Sequence, residues 1–179
     1  PTRRSSDLAD TCANLHFYIS PDGSATSNKI ATWGTPLSTG TTYHIWAWFD
    51  AAADTMYLSV NNGTAVTTAT STTAPGDRGG NVEIGSQAFA YNWVGHICCI
   101  GFWKAVVGST ERTSIYDSGN STTHADLTGA ERQGLVAWWN MDELDSSQKR
   151  KDREGNNDLA AQVVSWSETI GPPFDLTQE

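Results

Sequence analysis

The sequence predicts an all-β protein built from antiparallel strands. Three observations predict it. Residues 41–70 read as a three-stranded meander, in which side chains alternate between two faces and a turn signal follows. The chain holds eight Trp and is rich in Thr, Ser, Gly and Asn but poor in Lys, a balance that suits strands and polar loops. Its most apolar run, Val94–Trp103, is far too short to cross a membrane and is flanked by polar stretches, so it reads as a buried central strand.

Within the meander, Tyr43–Asp50 sets Tyr43, Ile45, Ala47 and Phe49 against His44, Trp46 and Trp48. Large apolar groups on both faces predict a central strand covered on both sides. The next strand sets Met56, Leu58 and Val60 against Thr55, Tyr57 and Ser59, the pattern of a half-buried strand. Asn62-Gly63 then supplies a two-residue hairpin signal, because a type I′ turn needs positive φ at both central positions. A Thr/Val-rich strand follows.

Other elements take their places around this meander. Ala13–Ser20 alternates Leu15, Phe17 and Ile19 with His16 and Tyr18, and ends at the turn Pro21-Asp22-Gly23. Lys29–Trp33 is a short strand and 34–40 a loop. The stretch 71–80, with Pro75-Gly76 and a Gly pair, is an irregular connection. Val82–Gly85 is a short strand, and Gln87–Trp93 a loop or strand entry. Gly108–Asp117 reads as a short helix with Glu111 in its first turn. Thr128-Gly129-Ala130-Glu131 fits a capping box that starts a helix of one or two turns, ending at Gly134. Leu135–Met141 is a strand. Lys149-Arg150-Lys151, with acids on both sides, reads as a solvated loop.

Composition narrows function. A net charge of −9 argues against nucleic-acid binding, which needs a basic footprint, and fits simple solubility. Three cysteines, Cys12, Cys98 and Cys99, make no complete disulfide set, and the adjacent pair reads as buried thiols. In a strand their side chains would point to opposite faces. The histidines His16, His44, His96 and His124 are isolated in sequence and read as structural. No nucleophile elbow, phosphate loop or zinc-protease motif is present.

From Tyr43 onward the order of elements resembles a laminin G-like domain of the concanavalin A-like superfamily. Tyr43, His44, Ile45, Phe49, Asp50, Leu58, Val60, Asn62, Gly63, Ile84, Gly85, Gly95, Ile97, Ile100, Trp103 and the run Tyr116–Asn120 carry the resemblance. Thr42 stands where that family usually has Trp, and Cys98-Cys99 stands where it has an acidic pair. The resemblance implies an antiparallel jelly-roll β-sandwich, incomplete here, with short helices.

It also implies an organisation. Residues 1–8 read as the translation of a sequencing adapter or as a polar tail. Residues 9–120 are the C-terminal part of one laminin G-like sandwich, and 121–133 a helical linker. Residues 134–179 either begin a second such unit or complete the first, since LVAWWNMDE followed by DREGNNDL looks like the opening of a similar domain. If they complete the first, Leu135–Met141 pairs antiparallel with Val94–Trp103.

Functionally, the resemblance implies a non-catalytic recognition or adhesion module for glycan or protein surfaces. It would lie within a larger extracellular, cell-surface or virion-surface protein with neighbouring domains. A structural spacer repeat is the alternative. Candidate ligand-binding residues are Tyr91, Asn92 and Trp93, joined by Trp33, as an aromatic platform with an amide partner. The superfamily's glucanases carry E-x-D-x-E or E-x-D-x-x-E on one strand, whereas Asp142-Glu143-Leu144-Asp145 has neither spacing, so hydrolysis is not expected. No cofactor is expected. Calcium is the alternative, with Asp22, Asp50, Asp54 and Asp77 as oxygen donors by type.

Overall fold

A computed structural model describes residues 14–20, 29–70, 84, 86–87, 91–92, 96–120, 122–141, 149–155 and 157–160. The described strands are antiparallel throughout and one short α-helix accompanies them, so the protein is all-β in class. The chain forms two units. One comprises Pro1–Glu83 and Gly108–Asn120, the other Ile84–Val107 and Ser121–Glu179.

In the first unit, β1 (Leu15–Ile19) pairs antiparallel with β2 (Lys29–Trp33). A three-stranded sheet follows in the order β3 (Ile45–Asp50), β4 (Thr55–Val60), β5 (Val66–Ala69). Strand β2 packs on β4 and β5, and the Thr68 hydroxyl donates to the Ile30 carbonyl at 2.9 Å. Ile19, Ala31, Met56 and Leu58 form the buried core there, with Leu15, Phe17, Trp33, Phe49 and Val66 packed against it. These are the residues whose period-2 spacing places them on the inner faces.

The alternation expected in β3 is present, but the position of the strand is not as expected. Among the described strands β3 lies at the sheet edge, and β4 is central. Met56, Leu58, Ser59 and Val60 are all buried, so both faces of β4 are covered. Alternation reports two faces; it cannot report how many neighbours flank a strand. On β3 itself, Ile45 is 41 % exposed whereas Trp46 is buried.

The second face of the sheet meets α1 (Ser109–Tyr116), which forms where the helix was expected. His44 lies 5.5 Å from the Tyr116 ring and 5.6 Å from Trp46, centroid to centroid. Trp48 and Tyr57, opposite each other on β3 and β4, stack at 4.7 Å with planes 2° apart. The Arg112 guanidinium sits 4.2 Å over Trp48, a cation–π contact. Asp117 caps the helix in the left-handed conformation, and Asn120 N donates back to the Asp117 carbonyl, so the Tyr116–Asn120 motif is a helix stop.

The hairpin between β4 and β5 is shifted by one residue from the Asn62-Gly63 expectation. Asn61 (φ 51°) and Asn62 (φ 53°) take the two left-handed positions, and Gly63 N donates to the Val60 carbonyl as the closing residue. Asparagine tolerates this conformation. The rest is tertiary: Asn61 Oδ1 accepts the His44 N–H at 2.9 Å, Asn61 N donates to the His44 carbonyl, and Asn62 Nδ2 donates to Thr113 on α1.

In the second unit, β6 (Ser86–Gln87) pairs with β7 (Tyr91–Asn92). Strand β8 (Ile100–Trp103) pairs antiparallel with β9 (Leu135–Trp139), the pairing expected between the two runs that contain them. Strand β10 (Lys149–Arg150) pairs with β11 (Leu159–Ala160).

Three expectations change in this unit. The apolar run 94–103 is not a buried central strand. Residues 96–99 are irregular, β8 has β9 as its one partner among the described strands, and Phe102 is 44 % exposed. Cys98 is exposed and Cys99 half-buried, so the adjacent thiols are not core residues. No α-helix starts at Thr128. The capping-box bonds form, Thr128 N to Glu131 Oε2 at 2.6 Å and Glu131 N to Thr128 Oγ1 at 3.4 Å, but consecutive turns follow and lead into β9. The Arg132 side chain turns back to donate to the carbonyls of Leu127 and His124, tying these turns to the preceding 3-10 turn. The expected linker 121–133 thus carries one 3-10 turn, His124–Asp126, in place of an α-helix. The turn 21–23 and the connection 71–80 lie outside the described residues; of the strand expected at 82–85 only Ile84 is described, in a bend.

Candidate functional site

Each strand of the β1–β2 ribbon sends alternate side chains inward, so the remainder face out together. Register pairs His16 with Thr32 and Tyr18 with Ile30. All four are exposed; Tyr18 keeps 51 % of its surface accessible and Ile30 41 %. His16 Nδ1 and Thr32 Oγ1 are 3.0 Å apart, and the His16 and Tyr18 rings are 5.7 Å apart at 53°. The result is one accessible aromatic ring bordered by an imidazole, a hydroxyl and an aliphatic side chain. The strand alternation contained this set, but a period-2 pattern does not say that the outer face stays uncovered.

Of the residues expected to bind ligand, Trp33 lies on the opposite face of this ribbon, half-buried and packed against the core. Tyr91 and Asn92 form β7, so their backbone belongs to a short hairpin. Trp93 lies outside the described residues, as do Asp22, Asp77 and the run 142–145. Asp50 caps its own turn and Asp54 ties that turn to the end of β5. Asp50 Oδ1 accepts the N–H groups of Ala52 and Ala53, and Asp54 Oδ1 accepts the Thr70 hydroxyl. Among the described residues, no three of His, Cys, Asp and Glu converge as metal ligands.

The second unit holds a polar network that the sequence reading missed. Asp152, one of the acids flanking the Lys149-Arg150-Lys151 run that reads as a solvated loop, is 2 % exposed. Its Oδ1 accepts the N–H groups of Trp138 (2.9 Å) and Glu154 (3.0 Å), and its Oδ2 accepts Asn157 N and Nδ2. Burial pushes this carboxyl up. The hydrogen bonds from Trp138, Glu154 and Asn157 outweigh it and hold the group below the ordinary carboxylate range. Asp152 N donates to Asp158, and Arg153 N to the Trp138 carbonyl, which stitches the loop to β9. The D-x-x-G-N spacing from Asp152 was the available signal.

The network continues through Asn140, whose Oδ1 accepts both Trp138 Nε1 (2.7 Å) and His124 N (3.1 Å). His124 Nε2 lies 2.6 Å from Glu154 Oε1, and Arg132 Nη1 lies 3.9 Å from the same oxygen. His124 is therefore not isolated, as sequence spacing implied; its partner is thirty residues away. Trp139 Nε1 donates to the Asn157 carbonyl and Trp103 Nε1 to that of Glu131. Indoles buried this way keep their N–H groups paired.

Among the described residues no helix is long and apolar enough to cross a membrane. No family model, curated protein or solved structure matches this chain.

Proposed function

We propose that the chain is a non-catalytic recognition module that binds a glycan, on a jelly-roll sandwich of the laminin G-like kind, within a larger surface protein. The observation that carries this reading is the outer face of β1–β2. A sugar ring offers an apolar C–H face and a rim of hydroxyls. An exposed Tyr18 ring beside His16 and Thr32 offers the matching apolar plane and hydrogen-bonding edge. The β6–β7 hairpin with Tyr91, Asn92 and the following Trp93 is a second candidate surface. Glycoside hydrolysis has no such support.

A structural spacer repeat is the second reading. It is favoured by the second unit, where Asp152, Asn140 and Glu154 direct their side chains to internal partners.

A glycan array probed with the full chain tests both. Binding that is lost in Tyr18→Ala, with the circular dichroism spectrum unchanged, supports the ribbon surface; loss in Trp93→Ala and not in Tyr18→Ala moves the site to the hairpin. No binding by the unmodified chain leaves the spacer reading.

A further inference from the structure

The segment entering β8 carries two adjacent thiols, Cys98 exposed and Cys99 half-buried. In a regular strand they would point to opposite sides and never meet. Cys99, however, takes φ 53°, the left-handed region that non-glycine residues adopt at a cost. Successive side chains then no longer stand in strand antiphase. The strain sits at the mouth of the β8–β9 ladder. There Cys99 N reaches the Asn140 carbonyl at 3.5 Å, one step beyond the Ile100–Trp139 pair.

We propose that Cys98 and Cys99 form a redox-closable vicinal dithiol whose oxidant is a low-molecular-weight disulfide. The Cys98 thiolate attacks one sulfur of that disulfide and expels one thiolate, which takes up the proton Cys98 gave. The Cys99 thiolate then attacks the Cys98 sulfur of the mixed disulfide and expels the second small thiol. Two protein thiols are oxidised to one disulfide, and one small disulfide is reduced to two thiols. Neighbouring Cα atoms lie about 3.8 Å apart, short of the span of roughly 4.4–6.8 Å that disulfides prefer. The ring is thus strained and easily reduced, as reversible bridges are. Closure would act on the backbone that donates to Asn140, the residue that also holds Trp138 and His124.

The test uses the full chain carrying Cys12→Ser, equilibrated in mixtures of reduced and oxidised glutathione, quenched by alkylation and weighed. The expected oxidised species has lost two hydrogens and both alkylation sites and carries no glutathione. In that background Cys99→Ser should stop at a single glutathione adduct on Cys98. The folded chain should close at an oxidised-to-reduced ratio about tenfold lower than the urea-unfolded chain, because the fold already holds the left-handed turn. Doubly glutathionylated chains, interchain dimers, no oxidation, or equal midpoints for folded and unfolded chains would each overturn the proposal. A circular dichroism spectrum of each variant identifies loss of fold.

Discussion

The backbone N–H of Trp138 donates to the carboxylate of Asp152 at 2.9 Å, joining a strand residue to a loop residue fourteen positions on. This bond and three others converge on one buried acid, so Asp152 fastens the 149–160 segment to β9. Removing the acceptor leaves several buried donors without partners. Asp152→Ala should therefore lose about 3 kcal/mol of stability, and Asp152→Asn about 2 kcal/mol. Urea unfolding followed by tryptophan fluorescence measures both. Unchanged midpoints would refute the role.

The same carboxyl sets an acid limit. Its folded pKa lies below the ordinary value of 3.8, as does that of Asp126, which the Thr123 hydroxyl and N–H hold down. A group depressed in the folded state stabilises it fully above the unfolded pKa and ceases to do so as pH falls through the folded one. Stability should decline below about pH 4, and Asp152→Asn should flatten that decline relative to the parent. Midpoints taken between pH 5 and pH 2 read the difference.

His44 acts at higher pH. Its Nδ1 is buried and has no hydrogen-bond partner among the described residues, and burial lowers its pKa from 6.5. The unfolded chain therefore takes up a proton before the folded one does. His44 contributes fully above pH 6.5, and the first unit weakens as pH drops from there toward the lowered folded value. His44→Phe keeps an aromatic ring between Trp46 and Tyr116 and removes the proton. It should abolish this component of the slope, and proton NMR of the imidazole should titrate below 6.5 in the parent. A parent imidazole titrating at or above 6.5 contradicts the assignment.

The shifted hairpin is open to a direct comparison. If Asn61 and Asn62 hold the left-handed positions, Asn61→Ala loses both that conformation and the acceptor for His44 N. Its cost should be about 1–2 kcal/mol. Gly63→Ala meets only the Val60 carbonyl oxygen, at 3.1 Å, and should cost under about 1 kcal/mol. The reverse order would restore the Asn62-Gly63 turn.

Gly101 carries a packing prediction. A Cβ there would come within 2.6 Å of the Trp103 and Trp138 rings, which meet edge to face at 5.9 Å. Gly101→Ala should destabilise the β8–β9 pair by about 1–3 kcal/mol, with a changed near-ultraviolet dichroism signal from displaced indoles. An unaltered signal and midpoint would show that the rings yield without strain.

The residues that were legible in sequence and those that were not differ in one physical respect. Period-2 alternation correctly divided His16 and Tyr18 from Leu15, Phe17 and Ile19. It also set Met56, Leu58 and Val60 on one face of β4, because a strand's own geometry sets its faces. The half-buried strand it predicted is nonetheless covered on both sides, since Ser59 is buried too. Glu111 lies in the first turn of α1 and the left-handed Asp117, at the head of the Tyr116–Asn120 stop, ends it, both features of neighbouring residues. The antiparallel match of β9 to β8 was one of two outcomes that the resemblance left open, and the pairing itself is present.

Partners distant along the chain stayed hidden. Charge pattern around Asp152 reads as solvated, yet four donors from Trp138, Glu154 and Asn157 remove it from water. His124 looks isolated until Glu154 folds against it. An apolar run around Cys98 reads as core until the left-handed turn at Cys99 ends the strand. The sequence by itself thus determined class, faces and local stops, since these depend on neighbouring residues. Burial, strand neighbours and turn register were decided by the tertiary structure, because each is a property of what the rest of the chain brings alongside.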